Sequence, residues 1–231
     1  VKWFVQVAPK LVQHMAIRES LRMTSFPMQE FRYNSDLSGG SLLVRESRVI
    51  ADLLLNNATD SEWHQAVHLD NRLQKRSPAT AKRLAGMLRK RLERLAPAFL
   101  QALRDGDDEL TTQLAFVAAL DRNLLLVEFM ETVVRDAFVV RTEALARYQW
   151  LDFPEDRAFR DPSIADLAEI SKKKIGQVVS RMLAEVGLLQ STRSLKLQYI
   201  VVRPEVNSLL NSSHRDRIRA CLNVSSANPA E

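Results

Sequence analysis

NRLQKRSPATAKRLAGMLRKRLERL, Asn71 to Leu95, holds nine basic residues and one acid, Glu93. Ser77-Pro78 marks a helix start, because serine accepts an orphan backbone N–H and proline fits the first helical position. Ala81, Leu84, Ala85, Leu88, Leu92 and Leu95 recur at helical spacing as an apolar stripe. Lys82, Arg83, Arg89, Lys90 and Arg94 fall on the remaining arc, with Arg91 at the edge of the stripe, while Arg72, Lys75 and Arg76 precede the helix. The helix is therefore expected to dock through its leucines and turn a cationic face outward. A charge run often serves solubility alone, but that need is usually met with mixed signs. The near absence of interleaved acids points to a polyanion partner.

Outward from this helix the charge is uneven. The chain of 231 residues has a net charge of +5 and a pI near 9.6, but 68–95 carries +7 and 101–136 carries −5. It is 46% hydrophobic and 26% charged with six glycines, an ordinary composition for a helix-rich globular protein. Cys221 is the lone cysteine, which gives no disulfide framework or cysteine metal site and fits a reducing cytoplasm. The greasiest stretch, 124–140, contains Glu128, Glu131, Arg135 and Asp136, so a simple membrane span is not expected. The opening VKWFVQVAPKLVQHMAIRES lacks a small-residue cleavage pattern and does not read as a signal peptide.

Upstream, residues 1–32 read as an N-terminal extension with one amphipathic helix over Pro9–Met23, broken at Pro27. From Tyr33, YNSDLSGGSLLVRESRVIADLLL gives a Gly39-Gly40 turn, Ser41 as N-cap, and a core face of Leu42, Leu43, Ile50, Leu53 and Leu54. Arg48 and Asp52 are spaced for an i,i+4 ion pair. No Walker or dinucleotide spacing surrounds the glycines, so a helix cap is expected there rather than a phosphate cradle. Thr59-Asp60-Ser61-Glu62 is a capping box. It opens a short helix with His64 and His68 four apart, but only Asp70 is near as a third ligand, so no metal is expected.

Downstream, a helix starts near Pro97. Asp105-Gly106-Asp107-Asp108 makes a turn and an acidic first helical turn. Residues 109–140 then read as one long or two abutting helices at the centre of a bundle. A short helix over Arg141–Trp150 precedes a hinge at Leu151–Asp156, which divides a basic helical bundle, 33–153, from a second unit, 154–231.

The second unit has a different pattern. Ser163 with Asp166 opens a short helix over Ile164–Ile170, and Ser171 caps the next. There Ile175, Val178, Val179, Met182, Leu183 and Val186 form a core stripe, leaving Lys172, Lys173, Lys174, Gln177, Ser180 and Arg181 outside until Gly187 stops the helix. Leu188–Gln190 and Leu195–Val202 read as a β-hairpin with Arg193 and Lys196 near its tip. Helix, turn, basic helix and hairpin form a winged helix-turn-helix pattern whose second helix suits a major groove and whose wing meets phosphates. Winged helices also dock proteins. Helical pieces over Glu205–Leu210 and His214–Leu222 and a frayed tail, Ser225–Glu231, complete the chain.

SGGSLLVRESRVIADLLL, the Asn71–Leu95 stretch and RMLAEVGLL together resemble the BrxA family, a small component of BREX bacteriophage-exclusion systems, in the same order over 33–202. The resemblance implies a mainly α protein, with a likeness to the NusB antitermination factor in its bundle, that binds DNA, carries no assigned catalytic residues and works beside other BREX proteins. The expected partner is double-stranded DNA, with no membrane and no cofactor. Arg72, Lys75, Arg76, Lys82, Arg83, Arg89, Lys90, Arg94, Lys172, Lys173, Lys174, Gln177, Ser180, Arg181, Arg193 and Lys196 are the candidate contacts. Two other readings fit the same residues: an RNA-binding NusB-like protein, and an adaptor whose basic face docks an acidic partner. No nucleophile motif or metal-spaced carboxylate cluster is present, so an enzyme is not expected.

Overall fold

The computed structural model describes Tyr33 and residues 35–226, and its described elements are helices joined by turns and one longer non-helical stretch, 186–203. The expected helix over Pro9–Met23 lies outside the described residues. A 3-10 turn, Ser35–Gly39, leads into α1 (Val44–Leu55). The capping box forms as read: Thr59 Oγ1 accepts from Glu62 N, and Glu62 reaches back to the Thr59 N–H at 2.6 Å. It starts α2 (Asp60–His64), which continues as a π-helical turn over Gln65–Leu69. Next come α3 (Pro78–Leu92), α4 (Pro97–Asp105) and α5 (Asp108–Arg122), the last capped by Asp107.

Helix α5 is the hub, touching α1, α3 and α4 and leading into α6 (Leu124–Phe129). Leu114, Phe116, Val117, Ala118, Ala119 and Leu120 are buried all round it, as a helix enclosed by others requires. The two abutting helices expected over 109–140 are present. α5 meets the run α6, π-turn Met130–Val134 and α7 (Arg135–Val139) at a bend of 107°. Buried Asn123 marks the corner, its amide donating to the Ala119 carbonyl at 2.9 Å. No helix among the described residues is long and apolar enough to cross a membrane.

The hinge expected at Leu151–Asp156 is a correction: these residues lie inside α8 (Arg147–Arg157) despite Pro154. Proline in a helix interior removes a hydrogen bond and costs about 3 kcal/mol. Here Trp150 and Phe153 pack edge-on to Phe129 at 5.0 and 5.2 Å, and that burial holds the helix through the proline. The described residues all fall in one compact unit, 32–231.

The helix expected over Ile164–Ile170 is instead a 3-10 turn, Pro162–Ile164, with Asp161 accepting from Ser163 N. The following helix, α9 (Glu169–Glu185), starts two residues before Ser171. Its apolar stripe is buried as expected, with Val178 half-buried, and Gly187 terminates it at φ 91°. The hairpin is reduced among the described residues to one antiparallel bridge between its arms, Leu189 with Leu197, while Lys196 makes a second bridge to Ala144 outside it. Leu195 sits in the left-handed region at φ 52°, and farther along Ile200 N donates to Ser225 Oγ rather than to a neighbouring strand. The ladder therefore stops after one rung. Helices α10 (Pro204–Ser212) and α11 (Asp216–Leu222) pack back on α5. Ser225, expected in a frayed tail, is buried.

Candidate nucleic-acid interface

Helix α3 forms where Pro78 begins it, although Ser77 supplies no side-chain cap bond. Its stripe is buried as read, and Met87 joins it. Arg91, placed by spacing at the stripe's edge, is 1% exposed. It donates to the Ser41 carbonyl at 2.8 Å and the Gly40 carbonyl at 3.0 Å. Arg83 donates to the next carbonyl back, Gly39, at 2.8 Å. The Ser-Gly-Gly-Ser turn thus directs three successive carbonyls at two guanidinium groups. That is the opposite polarity to a phosphate cradle, which needs convergent N–H groups. A Cβ on Gly39 would lie 2.4 Å from Met87 Sδ, so a larger residue there would require the flexible Met87 side chain to move. Ser41 is not the N-cap; Leu43 takes that place at φ 53°.

The basic residues around α3 separate into two groups. Arg72 pairs with Asp52 at 3.0 Å, Lys75 with buried Glu46, and Arg94 with Asp121 at 3.1 Å, an acid that also holds Arg215 at 2.9 Å. Burial pushes the Glu46 carboxyl up, but the Lys75 hydrogen bond and its own backbone amide outweigh this and hold it below the usual range. Asp52 goes to Arg72 and Arg104 instead of Arg48, and Arg48 goes to Asp108, which replaces the expected i,i+4 pair. Arg89 lies 4.7 Å over the Trp63 ring and 4.0 Å from Glu93. Arg76, Lys82 and Lys90 are exposed and have no side-chain partner among the described residues.

On α9, Lys173, Lys174, Gln177 and Arg181 are exposed and Ser180 is half-buried. Lys172 is a correction: it is 6% exposed rather than outward. Its ammonium reaches Glu169 at 3.1 Å and Glu155 at 3.4 Å, and these contacts outweigh desolvation to raise its pKa, the Glu169 hydrogen bond foremost. Lys196 is likewise held by Glu143 at 2.6 Å, whereas the Arg193 side chain is exposed without a partner among the described residues. Trp150 Nε1 donates to the Lys172 carbonyl at 3.0 Å and its ring lies on Gly176, where a Cβ would come within 2.2 Å of Trp150 Cδ1. Sequence spacing gave no sign of this glycine's role.

The two basic helices are fastened together. The Ser35–Gly39 turn touches both α3 and α9, and Glu185 at the end of α9 accepts from Leu42 N at 2.9 Å. Elsewhere, buried Glu128 gathers Tyr33 Oη at 2.8 Å, Arg157 at 2.9 Å and Arg160, a salt-bridged site inside the greasiest stretch. Burial, then this carboxylate, pushes the Tyr33 hydroxyl up to about 12. His64 and His68 stack at 4.9 Å, and no cluster of three or more potential metal ligands occurs among the described residues. Burial raises the Cys221 thiol to about 12, which makes it a poor nucleophile.

Comparisons with known proteins agree with this architecture. The family profile described as BrxA matches residues 31–214. "BREX protein BrxA" of Paramagnetospirillum magneticum strain AMB-1 is 37% identical over 198 residues, 86% of this chain and 100% of that one. The protein of the same name from Escherichia coli O9:H4 strain HS is 34% identical over 175 residues, 76% of this chain and 82% of its own. A crystal structure of an uncharacterized protein from Magnetospirillum magneticum superposes with a TM-score of 0.78 at 34% identity, covering 84% of this chain and 100% of that chain. A profile matched across most of the sequence, and relatives sharing a third of their residues over most of their length, place this chain in the BrxA family.

Proposed function

We propose that the protein is a non-enzymatic, double-stranded DNA-binding accessory component of a BREX-type phage-defence system. In this reading the NusB-like bundle supplies phosphate contacts through α3, and the winged helix-turn-helix-like unit presents α9 to the major groove. The observation that carries it is the division of α9. Ile175, Val179, Met182 and Leu183 are buried, while Lys173, Lys174, Gln177 and Arg181 are exposed and engage no carboxylate among the described residues. A helix that leaves such side chains unneutralised is prepared to release counterions from a nucleic acid. Arg76, Lys82, Lys90 and Arg193 add to the same potential, whereas Lys75, Lys172 and Lys196 spend theirs on internal acids.

An adaptor role has one observation in its favour. Tyr199 and Val201 are 75% and 79% exposed beside Asp108, Glu109 and Glu185, an apolar and acidic surface suited to a protein. Salt-titrated anisotropy with matched DNA and RNA duplexes separates these readings. Salt-sensitive binding that favours DNA is expected. Tighter binding to the RNA duplex transfers the role to RNA, and no salt-sensitive binding to either leaves the adaptor.

A further inference from the structure

Between α8, α9 and the 191–195 turn lies a cavity of about 520 Å³. Its apolar part is built from Phe129, Trp150 and Leu183, all buried. Its polar part comes from three exposed cations, Arg147, Lys173 and Arg181, together with Gln177 and Thr192. No carboxylate is among its described lining residues. The volume suits a small organic ligand. The floor is preformed, because Gly176 lets the Trp150 ring lie against α9 and the indole N–H is already bonded to Lys172 O. Arg147 is also positioned, donating to the Arg193 carbonyl at 3.1 Å.

The chemistry of this lining narrows the occupant. An inorganic anion has no use for a floor of aromatic and aliphatic carbon, and a neutral ligand has no use for three uncompensated cations. A ligand with a flat apolar part and a phosphate satisfies both. Gln177 can both donate to and accept from a base edge. A fully stacked duplex cannot place a base in a cavity of this kind without unstacking it.

We propose that this cavity seats one unpaired nucleotide, its base within the apolar lining and its phosphate among Arg147, Lys173 and Arg181. This deepens the DNA-binding reading above and rests on it. The protein would then prefer duplexes that carry an extruded or bulged base, because such a base reaches the floor without the cost of unpairing.

The test uses the full chain and three otherwise identical duplexes: fully paired, carrying a one-base bulge of 2-aminopurine, and carrying an abasic bulge. A parallel titration uses free dAMP. The base bulge should bind about tenfold tighter than the paired duplex, and the abasic bulge should lose that gain. Ala146→Trp and Leu151→Trp each put an indole into the lining of the cavity. Each should return the base bulge to the paired level, with paired-duplex affinity and melting temperature as in the parent chain. If both variants unfold, the base bulge against the abasic bulge in the parent chain decides alone. Equal affinity for all three duplexes overturns the cavity proposal while DNA binding stands. Binding of dAMP that Leu151→Trp abolishes, with no duplex bound, keeps the nucleotide site and overturns DNA binding. No binding of any probe overturns both.

Discussion

Helix α3 and helix α9 are both basic, and they use their charge differently. Around α3 the cations serve the fold as much as the surface: Arg91 is sealed under the Gly40–Ser41 turn, and Arg72, Lys75 and Arg94 are held by acids from α1 and α5. On α9 one lysine, Lys172, turns inward, and its neighbours Lys173 and Lys174 remain exposed without a partner among the described residues. A count of basic residues therefore overstates the charge available to a ligand more near α3 than on α9. What matters for a polyanion is the cations that no carboxylate has already neutralised.

The largest expected effect tests whether those free cations act together. Affinity for duplex DNA should fall roughly 1,000-fold between about 50 and 200 mM salt if six or more phosphates are engaged. A flat salt response removes the electrostatic basis for treating either helix as an interface.

The next experiment tests the structural half of the division. Arg91→Met leaves the Gly40 and Ser41 carbonyls without their donor, so unfolding free energy should drop by about 3 kcal/mol. For a protein of this length that corresponds to a melting temperature lower by about 6–12 °C. A thermal shift no larger than that of Lys82→Ala would show that Arg91 is one more surface cation.

A pair of double variants sharpens the same distinction. Lys82→Ala with Lys90→Ala should make the salt slope shallower by about two units, because both side chains are exposed and unpaired. Arg72→Ala with Arg94→Ala should change it by less than about half that, since Asp52 and Asp121 already neutralise them. Equal changes would erase the contrast between paired and free charge.

The smallest effect is on sequence preference. Gln can pair with adenine and Arg with guanine, so Gln177→Ala with Arg181→Ala should abolish about a tenfold preference among duplexes and spare the remaining non-specific binding. Competition between unlike duplexes measures it. A preference that survives the double variant means α9 does not read bases.

Apolar spacing alone makes most of the helices legible. The stripes of α3 and α9 and the Thr59 capping box depend on residues within a few positions of one another, and each formed where the pattern put it. Lys172 could not be read that way, because one of the acids that draws it inward, Glu155, belongs to another helix. Pro154 signalled a break, but the aromatic packing of Trp150 and Phe153 on Phe129, more than twenty positions away, overrode it. The candidate cations were visible by type. Their availability was not, since it depends on acids from α1 and α5 that only the fold brings near.

The hydrogen bond from Leu42 N to Glu185 spans 143 positions of sequence and joins the turn beneath α3 to the end of α9. This makes one amide proton a natural gauge of the molecule. Its exchange with deuterium is slow only while those two parts stay latched. A ligand that reseats α9 would therefore register at Leu42, a backbone position with no charge of its own, and could be followed without altering a single residue.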